Sequence, residues 1–314
     1  MSVSAAGASG KPKAPTVRNS LTGLDYILFT ISVLSWSASW YALKMQVGVV
    51  PVQVSLFWRY ALAAVIMMVW AYFARAPMRY SLSVHAKFLA MGALMFCINF
   101  ALFYHASAYL ASGLLSVVFS LAAIFNIIIA VVFMGLKPGS NVIIGASLGF
   151  FGIGLMFWPI VAQQVFDTSA LLGLGLCIVG TLCFCFGNLI SASLQKSKIP
   201  VVSASAWGMS YGAAISAALA LAQNNPFIIE WSASYLISLL FLSIVSSVIA
   251  FAAYLTLLGR IGSDRAGYAT VLFPVIALLI STIMEDYHMS WLAGAGLALV
   301  LLGNVFVLGM ARKK

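Results

Sequence analysis

Trp36, Trp40 and Lys44 recur at intervals of four within a long apolar run, a spacing that lines them up along one stripe of a helix. Such a stripe is an aromatic wall ending in a cation, suited to an amphipathic solute whose carboxylate pairs with Lys44. The same pattern also fits two packing tryptophans and a lysine that snorkels to water. Arg59 stands seven residues into the next apolar run, about 10 Å along it at about 1.5 Å per residue. A guanidinium there needs carbonyl oxygens, a solute carboxylate, or an acid such as Glu285 or Asp286; alternatively it pins its helix to the neighbouring loops. Asn99, Tyr104, His105, Asn126, Asn188 and Tyr254 are polar groups in otherwise apolar runs, where such groups either bond between helices or line a pathway. Glu285 and Asp286 close another run and no carboxylate falls at the middle of one, which argues against a deep carboxylate proton relay.

Other chemistries lack their residues. Cys97, Cys177, Cys183 and Cys185 lie inside apolar runs without metal-site spacing and read as packing residues. The chain has no acidic or histidine cluster at metal spacing, no G-x-S-x-G and no phosphate loop, so an intramembrane enzyme is disfavoured and neither a metal nor a cofactor is expected.

The elements that position these residues follow from composition. Of 314 residues, 63% are apolar and 7% charged, against about 25% charged in a soluble domain. Charge-free stretches are long enough to cross a bilayer, whose core of about 30 Å needs roughly 20 helical residues. The runs are apolar on every side, without the alternation of a β-barrel strand. Spans are expected near residues 26–43, 52–73, 88–104, 114–134, 142–160, 171–190, 201–222, 235–258, 266–284 and 291–310. Only the small-residue stretch 107–113 parts the third span from the fourth, and a nine-span reading would merge them. The first span lacks a following small-residue cleavage site and is expected to be retained.

Lys and Arg test the count. With ten spans and both ends inside, the inner segments hold 14 basic residues and the outer ones only Lys44, with Arg59 inside a span. The net charge of +10 is thus a topology signal and implies no nucleic acid. Shifting the chain by 149 residues superimposes Gln46 on Gln195, Pro51 on Pro200, Trp58 on Trp207 and Gly145 on Gly294. Each half then holds five spans, and an odd number inverts the second copy, as in secondary transporters. The expected fold is an all-α integral membrane protein with ten transmembrane helices in two inverted five-helix repeats. Residues 1–20 form a disordered cytoplasmic tail, 21–160 the first repeat, 170–310 the second, and 311–314 a basic cytoplasmic tail.

The motifs also resemble the drug/metabolite transporter superfamily, specifically bacterial EamA-domain proteins of ten helices, over essentially residues 26–310. Trp36, Lys44, Pro51 and the Arg59–Tyr60 pair are similar to the family's first two helices. The segment AAYLTLLGRIGSDRAGYATVLFPVIALLIS, with Pro274, resembles its eighth-to-ninth-helix signature. Ser120 stands where the first-half copy of that proline is expected, Leu136 replaces the usual acid after the fourth helix, and Glu285 comes two residues early. The resemblance implies a secondary transporter in a bacterial inner membrane, with cargo among amino acids, metabolites or drugs.

Trp36, Trp40, Lys44, Asn99, Tyr104, Asn126, Asn188 and Tyr254 are the candidate substrate-binding residues; Arg59, Pro274 and Glu285 are structural or gating candidates. Expected partners are a small-molecule solute and membrane lipid. Glycines 145, 149, 152 and 154, and 294, 296 and 303, suit close helix contact, as a fixed pair or a homodimer seam. Export of an amino acid or related metabolite is the leading expectation. A multidrug exporter, a passive channel and a scaffold are the alternatives.

Overall fold

The computed structural model describes residues 22–134, 140–162, 168–261 and 269–308. The two tails, Leu136 and Lys137 lie outside the described residues. Ten helices are found among them: α1 Gly23–Lys44, α2 Val52–Phe73, α3 Leu82–Ala106, α4 112–134, α5 Ser140–Ala162, α6 Thr168–Lys196, α7 Val201–Ala222, α8 233–261, α9 Ala269–Met284 and α10 Trp291–Leu308. A turn at 107–111 separates α3 from α4, so the ten-span reading holds and the nine-span merger does not. Pro51 and Pro200 immediately precede α2 and α7, where a missing N–H leaves no hydrogen bond unmade.

The repeat recurs in local backbone detail. Helices α2 and α7 each span 22 residues, and their starts at 52 and 201 differ by 149. Both end on a left-handed residue, Arg75 at φ 51° and Asn224 at φ 54°. Past these, Ala76 N–H reaches the Ala71 carbonyl and Asn225 N–H the Ala220 carbonyl, the same helix-closing bond in both halves. Helices α3 and α8 widen into π-helical turns at Gly92–Ile98 and Phe241–Ile249, whose starts are again 149 apart.

Contacts between halves keep the alternation of sides that ten spans require. Trp58, at the start of α2, donates to the Ile228 carbonyl before α8, and Trp207, at the start of α7, donates to the Met78 carbonyl before α3. The two tryptophans matched by the repeat thus clasp the opposite half at opposite ends of the α2–α7 pair. The terminal helices of each half form a second pair. A Cβ on Gly152 would meet the Gly296 carbonyl oxygen at 2.6 Å, one on Gly296 the Gly152 carbonyl at 2.5 Å, and one on Gly303 the Gly145 carbonyl at 2.5 Å. These glycines close an α5–α10 contact within one chain, so the fixed pair is the arrangement seen.

Helix α1 lies between α4 of its own half and α8 and α9 of the other. Ser37 Oγ, buried on α1, lies 3.1 Å from the Phe273 carbonyl just before Pro274. Helix α4 breaks at Leu121, directly after Ser120. Phe119 and Phe273, preceding Ser120 and Pro274, meet across the halves with ring centroids 6.2 Å apart.

Candidate functional site

The stripe on α1 divides into three environments. Trp40 is 6% exposed and packs against Phe103 of α3 and Phe119 of α4, with centroids at 5.0 and 5.2 Å. Phe184 of α6 joins at 4.7 Å from Phe119. With Phe273 of α9 also 6.2 Å from Phe119, five helices deliver rings to one central cluster around Trp40. Trp36, one turn nearer the N-terminus, is only half-buried and packs at a tilt against Tyr254 of α8, with ring centroids 5.0 Å apart. Asn126 and Asn188, also half-buried, lie on α4 and α6 one turn beyond the point where Cys185 Sγ approaches the Ala122 carbonyl at 3.5 Å. Asn99 is fully buried, with Nδ2 donating to the Met95 carbonyl and Oδ1 without a hydrogen-bond partner. His105 is exposed at the end of α3.

At the C-terminal end of α1, the Lys44 ammonium stands 2.8 Å from Glu285 Oε1. Its charge is already matched within the protein. The other carboxylate oxygen accepts from the Ser112 N–H at 2.9 Å, the Ser112 hydroxyl at 2.6 Å and the Ser281 hydroxyl at 2.5 Å. Glu285 thus caps the N-terminus of α4, where an anion is favoured, while holding α1 and α9. Burial pushes the Glu285 carboxyl up, but the hydrogen bonds from Lys44, Ser112 and Ser281 outweigh it and leave the group below its ordinary range.

The N-terminal end of α1 carries a second pair. Asp25, 3% exposed, accepts from Arg260 Nε at 2.5 Å through Oδ1 and from the Thr22 N–H and hydroxyl at 2.8 and 2.7 Å through Oδ2. Arg260 Nη2 also donates to Thr22 Oγ1 at 3.2 Å. The 22 residues of α1 place the two pairs about 30 Å apart, and each joins α1 to the second half. The sequence reading missed Asp25 and Arg260. Arg260 was among the basic residues assigned to the inner segments and Asp25 stands just before the first span, which was the available signal.

Arg59 joins neither pair. It is 2% exposed, with its guanidinium carbon 4.3 Å from the Phe100 ring centroid and 5.0 Å from that of Tyr60. Nε and Nη1 have no hydrogen-bond partner. Close by, the Tyr104 hydroxyl, fully buried and within the field of Arg59, donates to Gln46 Oε1 at 2.6 Å. Gln46, 2% exposed, is left with an unpartnered Nε2.

A multi-pass helical bundle built of two inverted halves, with a central aromatic cluster and buried polar groups, defines a membrane-transporter class of fold. The EamA-like transporter family model matches residues 24–158 and again 164–309, one copy per half; the chain belongs to that family. It is 24% identical over 253 residues to the "Uncharacterized transporter YoaV" of Bacillus subtilis, covering 80% of this chain and 86% of that one. It is 23% identical over 308 residues to the "Probable amino-acid metabolite efflux pump" of Escherichia coli, covering 90% and 95%. A solved crystal structure aligns at TM-score 0.66 and 16% identity over 92% of this chain and 98% of the other, a likeness of fold. The protein is therefore a multi-pass membrane transporter.

Proposed function

We propose that this transporter exports a small organic solute, an amino acid or related metabolite, by alternating access of its two halves. The observation carrying this reading is the double attachment of α1: Asp25 to Arg260 at one end and Lys44 to Glu285 at the other. Both pairs cross between halves on opposite sides of the bundle. A carrier needs such separable closures, because a solute must never see both sides open. With both closed, Trp36, Trp40, Tyr254, Asn126 and Asn188 are sealed between them as the solute's surroundings. The excess of basic residues in the inner segments supports cytoplasmic termini in a bacterial inner membrane, and puts the Lys44–Glu285 closure outside. The name of the Escherichia coli relative, a probable amino-acid metabolite efflux pump, supports amino-acid metabolites as cargo.

The test is counterflow. Purified protein in liposomes preloaded with mixed amino acids and metabolites is expected to take up one labelled class saturably, with trans-stimulation. Flux that is linear in concentration and indifferent to internal solute would mean a channel; exchange confined to lipophilic drugs would keep the carrier and reassign its cargo.

A further inference from the structure

Arg59 is a permanent cation for which the described residues provide no counter-ion. No carboxylate pairs with it among the described residues: Glu285 holds Lys44, Asp25 holds Arg260, Glu230 accepts from the Ser232 hydroxyl, and Asp286 is exposed. Two of its nitrogens donate to nothing. The charge is 98% buried about 10 Å along a bilayer-spanning helix, at about 1.5 Å per residue. Its ring neighbours, Phe100 and Tyr60, supply partial cation–π compensation but no acceptor. Each feature is costly, because a buried charge needs both pairing and hydrogen bonds.

The neighbourhood offers a neutral hydroxyl in place of a carboxylate, and adds a further donor beyond it. The Tyr104 hydroxyl oxygen accepts from Arg59 and spends its own proton on Gln46 Oε1. That bond fixes the Gln46 amide so that Nε2, also buried and unpartnered, remains as an N–H donor. A guanidinium and an amide with unpaired N–H groups, bridged by a tyrosine that itself donates elsewhere, lack one thing in common. They lack an anion. Purely structural arginines are expected to be satisfied by carbonyls or acids, and Nε and Nη1 of this one are satisfied by neither.

We propose that Arg59 and Gln46 form the anion-recognition subsite of the transport pathway, lying just inside the Lys44–Glu285 closure, and that the solute carries a carboxylate. This rests on the transporter reading above and narrows it: organic cations are repelled from the subsite, and an uncharged solute leaves Arg59 unmatched. Arg59 supplies the charge, Gln46 Nε2 a second donor, and Tyr104 fixes the amide. The rings of Phe100 and Tyr60 keep the guanidinium in a weakly polar setting, where a charge-assisted hydrogen bond is at its strongest. In the conformation described here the subsite is closed off, and the solute reaches it when one end opens.

The test uses the full chain in phosphatidylcholine nanodiscs. Thermal unfolding is followed against L-leucine, L-phenylalanine and 4-methylpentanoate, each beside its amide, which differs only in the carboxylate. The acids are expected to bind at least about tenfold more tightly than their amides, the usual effect of losing a charge-assisted hydrogen bond. Gln46→Glu supplies an internal counter-ion: its unliganded melting temperature should rise while acid binding weakens by about tenfold or more. Arg59→Lys keeps the charge without the fork and should retain part of the preference. Equal response to acids and amides, including none to either, overturns the proposal, as does Gln46→Glu binding acids like the parent. Stabilisation by added phosphatidylglycerol that abolishes the acid response assigns the subsite to lipid and also overturns it. Counterflow of amides alone would leave the carrier intact and remove only this inference, so the two readings fail separately.

Discussion

Trp36 and Trp40 share a stripe but not a role, and substitution should separate them. Trp40 is enclosed by Phe103 and Phe119, so Trp40→Ala opens a void that costs about 3 to 5 kcal/mol; its melting temperature in detergent should fall sharply. Trp36 touches Tyr254 and is otherwise half-open, so Trp36→Ala should reduce counterflow severalfold with insertion and melting nearly unchanged. Reversal of that order would make Trp40, in place of Trp36, the ring that transport depends on. Glu285 provides a pH test. Its folded-state carboxyl lies below its ordinary value, so its contribution is fully present above the ordinary carboxylate range and is lost as pH falls through the folded value. Melting temperature should therefore drop on acidification below about pH 4.3, and Glu285→Gln should be less stable at neutral pH with that acid limb flattened. An unchanged limb would assign the acid sensitivity to Asp25. The spacing of Trp36, Trp40 and Lys44 was legible because helical periodicity needs only one strand of sequence. The Glu285 partnership was not, because Ser112, Ser281 and Lys44 come from three elements whose meeting is a tertiary fact.

At the level of helices, the ten spans, the proline starts of α2 and α7 and the five-helix repeat follow from charge-free length and the 149-residue offset. The π turns of α3 and α8 carry no such signature, since Gly92–Ile98 and Phe241–Ile249 look like any apolar helix in sequence; only their recurrence in both halves marks them as built features. The glycines left a choice between a fixed pair and a dimer seam, and only packing decides it, because a G-x-x-x-G face does not say which chain it meets. The resulting contact is intolerant of side chains. Gly152→Val places a Cβ against the Gly296 carbonyl and Val300, and should cost about 1 to 3 kcal/mol, read as a lower melting temperature. By contrast Gly154 and Gly294, with nothing near an added Cβ, should accept Ala with little change. Equal tolerance at Gly152 and Gly154 would mean that α5 and α10 part readily.

For the whole molecule, the account rests on α1 being released from the second half at one end at a time. The ion pairs at its ends are chemically independent: one uses Arg260 and Asp25, the other Lys44 and Glu285. Neutralising one should bias the two-state equilibrium toward opening at that end, by the differential stability it contributes. The most direct measurement is the distance between spin-label pairs in lipid bilayers, placed at the exposed positions Leu24 and Thr256 for the Asp25 end, and Val47 and Met289 for the Glu285 end. Arg260→Gln is expected to lengthen the first distance and leave the second short; Glu285→Gln should do the reverse. Both distances lengthening together in either variant, or neither moving in both, would contradict alternating closure of the two ends.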